Sequence, residues 1–269
     1  NDLDYYLQNG KAQTLKKGDK YGYDYYANVR RAEAWAAGRF TFAGLDASIA
    51  GRIGYTKFWR EGLVRKGLFP GLDANGAPME FEGAEITTYD PITNEAITSL
   101  GKSDVKDFLT GGVKLNLSYV IRGGHRVYAD AAYVADAPRF NQAFVSPRTR
   151  NSIVPDLKTS KTFAADLNYA YSNSGYDVRV TGYYTTIKDQ SKVMSFYDDA
   201  QNSFTNFAMS GMDERHVGVE LGFKVPLPVP NLSLQGVLSY GQYVYTSNPV
   251  MYQTYDNSAA IVEETYGVT

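Results

Sequence analysis

The chain has 269 residues, with 23 Tyr and 13 Phe beside a formal net charge of only -2. So even a balance carries no nucleic-acid signal, and zero Cys removes a disulfide scaffold or a thiolate metal site. A soluble core of this size would take its bulk from Leu, Ile and Val, whereas a membrane barrel combines a thin apolar band with aromatics at both water interfaces.

No stretch approaches the roughly 20 consecutive apolar residues of a membrane helix. A membrane crossing would therefore use strands, which lipid tolerates only in a closed barrel. No signal peptide stands at Asn1, so for an exported protein the chain starts inside the mature molecule or lacks its processed end.

Strand and turn signals predict about eight long strands in succession. The first covers Tyr25 to Phe42 and turns tightly at Ala43 to Leu45 into a second, Asp46 to Arg65. A long loop, Lys66 to Asp104, follows. Its Phe69, Phe81 and Tyr89 lie among the acids Asp73, Glu80, Glu82 and Glu85. Aromatic platforms beside hydrogen-bonding groups suit capture of a sugar, peptide or aromatic chelate, and Phe69 and Tyr89 are the candidate contacts. Packing of these rings on neighbouring loops is the plainer alternative, and the preferred one. Asp73, Asn75 and Gly76 look like the start of a calcium loop but lack the further acidic positions of an oxygen cage, so a plain turn is expected.

The third and fourth strands, Val105 to Arg122 and Arg126 to Ala137, flank a tight turn at Gly123 to His125, where His125 reads as interfacial. The second long loop, Pro138 to Leu157, carries Arg139, Phe140, Phe144, Arg148 and Arg150. Guanidinium groups there could hold carboxylates or phosphates in a planar, bidentate way. They could equally meet lipopolysaccharide phosphates or neighbouring loop acids. Strands five and six, Lys158 to Ser172 and Tyr176 to Phe196, join at Asn173 to Gly175. A short loop at Asp198 to Asn202 leads to strand seven, Ser203 to Leu227, and Pro228 to Pro230 leads to strand eight, Asn231 to Thr246. Within strand seven, Asp213 to His216 invites a catalytic reading. One local His with no verifiable Ser or Asp partner does not support it, and no enzyme activity is expected.

Period-two alternation is clearest at Val113, Leu115, Leu117, Tyr119 and Ile121 against Lys114, Asn116 and Ser118. It means one apolar and one polar face. Leu115, Leu117, Tyr169, Val180, Leu221 and Leu238 are expected to face lipid, and Lys114, Asn116, Asp166, Arg179, Glu220 and Gln235 the lumen. Arg31, Glu33, Arg39, Arg52, Asp130 and Lys224 read as inward too. Tyr119, Tyr171, Tyr176 and Phe223, all near tight turns, should form the girdle at the periplasmic side. Several strands exceed the roughly 9 to 11 residues that cross hydrocarbon, and tight turns alternate with long loops. That is the outer-membrane pattern of short periplasmic turns and longer extracellular loops. A soluble β-sandwich rarely combines such long strands with one-sided loops. Both ends, Asn1 to Asp24 and Pro249 to Thr269, fall on the long-loop side, which suggests part of a larger barrel with strands missing at each end.

The segments YADAAYVADAPRFNQAFVSPRTRN at Tyr128 to Asn151, YDVRVTGYYTTIKDQS at Tyr176 to Ser191 and FTNFAMSGMDERHVGVELGFKV at Phe204 to Val225 resemble the C-terminal barrel of TonB-dependent outer-membrane receptors. The likeness is to the Bacteroidetes type that carries a carboxypeptidase-regulatory-like domain before the plug, and it covers Val105 to Asn248 best. It implies an all-β, antiparallel transmembrane barrel of about 22 strands with a plugged lumen, here represented by a segment without the plug or closing strands. The implied location is the outer membrane of a Gram-negative bacterium. Implied partners are membrane lipid and lipopolysaccharide, the protein's own plug domain, the TonB complex through an N-terminal segment absent here, a nutrient ligand and a surface lipoprotein. No cofactor is implied. The competing function is a passive porin or surface adhesin.

Overall fold

The computed structural model describes residues 16–18, 22–258 and 261–265. The leading segment expected before Tyr25 lies largely outside the described residues, as do 259–260 and 266–269. The strands are β1 (Tyr25–Phe42), β2 (Leu45–Gly62), the two-residue β3 (Glu80–Phe81), β4 (Ala84–Glu85) and β5 (Gly101–Lys102), then β6 (Lys106–Ile121), β7 (His125–Asp136), β8 (Ser160–Asn173), β9 (Tyr176–Asp198), β10 (Ser203–Pro226), β11 (Ser233–Tyr245), β12 (Val250–Tyr255) and β13 (Ile261–Thr265). The one helical element described is a single 3-10 turn, Phe140–Gln142.

All the long strands belong to one sheet, in the order β1-β2-β6-β7-β8-β9-β10-β12-β13, with β11 also on β10 and β5 on β2. Neighbours are antiparallel, and the long strands β1, β2 and β6 to β11 pair in chain order, the up-and-down meander that tight turns and long loops in alternation produce. Among the described residues the one other sheet is the short two-stranded pair β3-β4. The described sheet is open, as a partial barrel wall is.

Strands β11 and β12 are two halves of one long strand. As β10 runs back from Pro226 to Glu214 it faces Ser233 to Tyr245, and from Ser210 to Thr205 it faces Val250 to Tyr255. The stretch from Val250, expected as trailing loop, therefore continues strand eight, and β13 turns back along it. A bulge separates the halves. Pro249 has no N–H for a ladder, Gly211 takes a φ of +71°, and the register with β9 shifts between Met209 and Glu214. Ser247 bridges the gap, with its Oγ donating to the Gly211 carbonyl and accepting from the Asp213 N–H, both at 2.7 Å.

Register sorts the side chains. Ile49, Leu115, Ala131 and Ala165 lie in one cross-strand row, and Asn116, Asp130 and Asp166 in the next. The row of Leu167 runs through Gly182 and Val219, that of Tyr169 through Val180, Leu221 and Leu238. All six residues expected outward thus share one face, and the six expected inward share the other, as do the remaining charged inward residues. The polar face is the better buried: Ser118 is 5% exposed against 52% for Leu117, and Asn168 is 2% exposed against 61% for Leu167. A soluble sheet does the opposite. Between the tight turns and Arg30, Lys57, Lys161, Lys188 and Arg215, the outward positions of the ladder contain no Asp, Glu, Lys or Arg. That band is bordered at the turn end by Tyr119, Tyr171, Tyr176 and Phe223, which all point outward, and at the other by Tyr55, Tyr133, Phe163 and Tyr184.

Inward, close approach replaces bulk at one place. Tyr183 lies across Gly218 and Gly241, where an added Cβ would meet its Oη at 2.5 and 2.7 Å. Its hydroxyl hydrogen-bonds that of Tyr243 at 2.7 Å, so one ring covers two bare backbone positions and ties three strands together.

Candidate functional site

At the long-loop end, the inward face meets the 66–104 and 138–157 loops. Phe58 and Arg60 project inward from the end of β2 and are covered by both loops. Arg60 Nε donates to the Pro147 carbonyl at 2.7 Å, its Nη1 donates to the Ser99 carbonyl at 2.7 Å and to Asn151 Oδ1, and its guanidinium lies 4.8 Å above the Tyr25 ring. One fully buried arginine thus fastens two loops that are distant in sequence to the end of a strand. Such a buried cation is stable only because carbonyls and a ring surround it. Phe58 packs with Phe144 and Ala143 in an apolar cluster that Phe108, Phe140 and Ile153 extend.

Asp256, in the turn after β12, fixes the far side of the 138–157 loop. Its Oδ1 accepts from Ser146 Oγ at 2.9 Å and Asn206 Nδ2 at 2.8 Å, and its Oδ2 pairs with Arg148 Nη2 at 3.1 Å. Val145 and Val154 of the loop pack on Ala208 and Tyr252 beneath it. The loop is therefore a wall anchored to β2 on one side and to β10 and β12 on the other.

This wall closes one side of a cleft of about 820 Å³ on the inward face. Strands β1, β2, β6, β7, β8, β9 and β10 all contribute to it, through residues such as Arg31, Arg52, Thr110, Asp136, Thr162 and Glu214. One cleft touched by seven strands requires that face to be concave. Arg52 is held between carboxylates, 3.2 Å from Glu33 and 2.5 Å from Asp136, and Arg31 also pairs with Glu33. Arg139, Lys158 and Lys192 add further positive charge to the lining. The site can hold a polar ligand by hydrogen bonds and ion pairs. Among the described residues, no group of three or more His, Asp or Glu side chains gathers where a metal ion could sit.

The seven residues singled out in the loops divide into two sets. Phe69, Phe144 and Arg150 are fully buried. Arg150 lies 4.2 Å above the Phe69 ring and donates to the carbonyls of Tyr255 and Ser258 at 3.4 and 3.2 Å, and burial pulls its pKa down to about 10. Arg148 pairs with Asp256 and stacks over Phe204 at 4.0 Å. By contrast, Tyr89 and Arg139 are exposed, and Arg139 and Phe140 line the cleft. Sequence reasoning missed Arg60, Asn151 and Asp256, whose only signal is charge or amide at the end of an apolar strand or loop. Asp73 forms the expected plain turn: it accepts from the Asn75 and Ala77 N–H groups at 2.8 and 2.9 Å, which holds its carboxyl below the usual range. His216 pairs with Glu214 at 3.0 Å on the inward face and stacks edge-on with Tyr243; no nucleophile accompanies it among its described partners.

No known protein-family profile matches the chain, and no curated protein matches it in sequence. Among solved structures it is similar to one titled copper transporter OprC, with a TM-score of 0.54 at 14% sequence identity, over 84% of this chain and 32% of that one. The chain spans about a third of the length of that structure. At such identity the likeness is one of fold, and it agrees with the outward apolar band: the chain is a segment of an antiparallel transmembrane β-barrel.

Proposed function

We propose that this segment is wall and outer vestibule of a TonB-dependent receptor in the outer membrane of a Gram-negative bacterium, where it captures a nutrient ligand that enters when a plug inside the barrel is remodelled. The observation that supports this most is the loop-walled, charge-lined cleft at the long-loop end. Loops held in one arrangement by a buried arginine suit a vestibule that selects its ligand. Trp35 supports a plugged lumen: it faces inward yet is 77% exposed, and an indole of that size favours a protein partner over open water. The neighbour's copper does not transfer on a likeness of fold. In this reading Arg139 and Phe140 meet ligand in the cleft and Tyr89 meets it further out, while Phe69, Phe144, Arg148 and Arg150 hold the loops that shape the vestibule.

Uptake by the intact protein, measured with and without collapse of the inner-membrane proton gradient, tests the proposal. Loss of uptake on collapse, and weaker ligand binding by Arg139→Ala with barrel insertion unchanged, are expected. Uptake that persists, with size as its only selectivity, would make the protein a passive porin; surface attachment without uptake would make it an adhesin.

A further inference from the structure

The acids that line the inward cleft are already engaged. Asp136 pairs with Arg52 at 2.5 Å, Asp189 pairs with Lys161 at 3.0 Å, and Glu214 is hydrogen-bonded to His216 at 3.0 Å. Arg31 is taken by Glu33. That leaves Arg139, Lys158 and Lys192, all exposed on the lining, and among the described residues no ion pair involves any of them. Directly across from Lys192 stands Met209. Beyond Lys158 the ladder begins at Ser160, opposite Asp136, which belongs to Arg52.

The backbones that carry these three cations are fixed relative to one another. The Val193 N–H donates to Gln142 Oε1 at 2.5 Å, so the 3-10 turn that Arg139 opens is pinned to β9 one residue from Lys192. Phe140 packs on the cluster of Phe58 and Phe144, and so does Leu157, just before Lys158. Like charges held together on a concave face focus a positive potential into it. Only an anion relieves it. The lining also has donors to spare: Gln190 Nε2, two residues before Lys192, and Thr110 Oγ1 are buried without a hydrogen-bond partner. A buried donor without an acceptor is costly, and anionic oxygens accept from amide, hydroxyl and cation alike.

We propose that Arg139, Lys158 and Lys192 form one subsite for a small polyanion, a ligand carrying two or more carboxylate or phosphate groups. The proposal rests on the reading of the cleft as the place of ligand capture, not on how uptake is energised. Of the arginines in the 138–157 loop only Arg139 is free for such a ligand, because Arg148 pairs with Asp256 and Arg150 is buried. Its guanidinium supplies a planar, two-pronged contact, and the two ammonium groups act as point charges.

Equilibrium titration of the intact protein in detergent with tricarballylate and with glycerol bisphosphate tests this, with the uncharged triamide of tricarballylic acid as control. Saturable binding of at least one of the anions is expected, weakened about fivefold to tenfold by each of Arg139→Gln, Lys158→Gln and Lys192→Gln. Added salt should weaken it too, since exposed charges are screened. Lys114→Gln, which alters an inward lysine outside the cleft, should leave it unchanged. Binding of neither anion, equal binding of the triamide, or losses no larger than that of Lys114→Gln overturn the proposal. The titration needs no proton gradient, so its failure leaves the uptake test of the receptor reading standing. Uptake that persists after the gradient is collapsed defeats that reading and leaves selective anion binding intact.

Discussion

Arg60, Arg150 and Asp256 show how a buried charge can be either a support or a replaceable filler. Asp256 receives two neutral donors and one guanidinium, so Asp256→Ala leaves Arg148 without its partner in a half-buried setting. A loss of about 2 to 4 kcal/mol in the anchoring of the 138–157 loop is expected, read as faster proteolysis within that loop. Arg150 differs, because only its Nη2 is hydrogen-bonded, to the Tyr255 and Ser258 carbonyls, while Nε and Nη1 have no hydrogen-bond partner and the guanidinium covers the Phe69 ring. Arg150→Met preserves that contact through a polarizable side chain and should change loop stability by less than about 1 kcal/mol; a loss as large as that of Asp256→Ala would show that its charge matters. The sequence displayed three loop arginines as equals. Which of them is buried depends on Phe69, Asp256 and the carbonyls of Tyr255 and Ser258, all far along the chain, and no local pattern encodes such convergence. Arg139 stayed exposed because the 3-10 turn after it directs Phe140, not Arg139, into the apolar cluster.

Strands were the most legible elements, since alternation and turn chemistry act over a few residues. The first strand matches at both ends, strands six and seven begin as expected at Tyr176 and Ser203, and the remaining ends differ by one to three residues apart from the continuation of strand eight. Continuation of strand eight beyond Pro249 was hidden, because a proline that breaks a ladder locally looks the same whether the strand resumes or not. Also hidden was the role of Gly218 and Gly241, which in the fold form a seat for Tyr183. Tyr183→Ala should therefore cost about 1 to 3 kcal/mol, more than removing its hydroxyl alone in Tyr183→Phe, because two glycine backbones lose their cover. Comparable losses for the two variants in an unfolding titration would assign the effect to the Tyr243 hydrogen bond instead.

For the whole molecule, the burial of polar side chains and exposure of apolar ones defines the environment the sheet was built for. Leu117→Arg should cost about 2 to 4 kcal/mol in a lipid refolding titration if it lies near the midplane. Asn116→Arg should cost little, since it faces inward beside Asp130, to which Asn116 already donates at 2.6 Å. The most direct test uses the absence of Cys in the chain: single cysteines at successive positions from Val113 to Ser118, each spin-labelled in the intact protein in bilayers, with accessibility to oxygen compared with that to a water-soluble nickel chelate. The account predicts strict alternation, with oxygen favoured at Val113, Leu115 and Leu117 and the chelate at Lys114, Asn116 and Ser118. Uniform access to the chelate, or protection of the leucines from both reagents as in a soluble core, would contradict it.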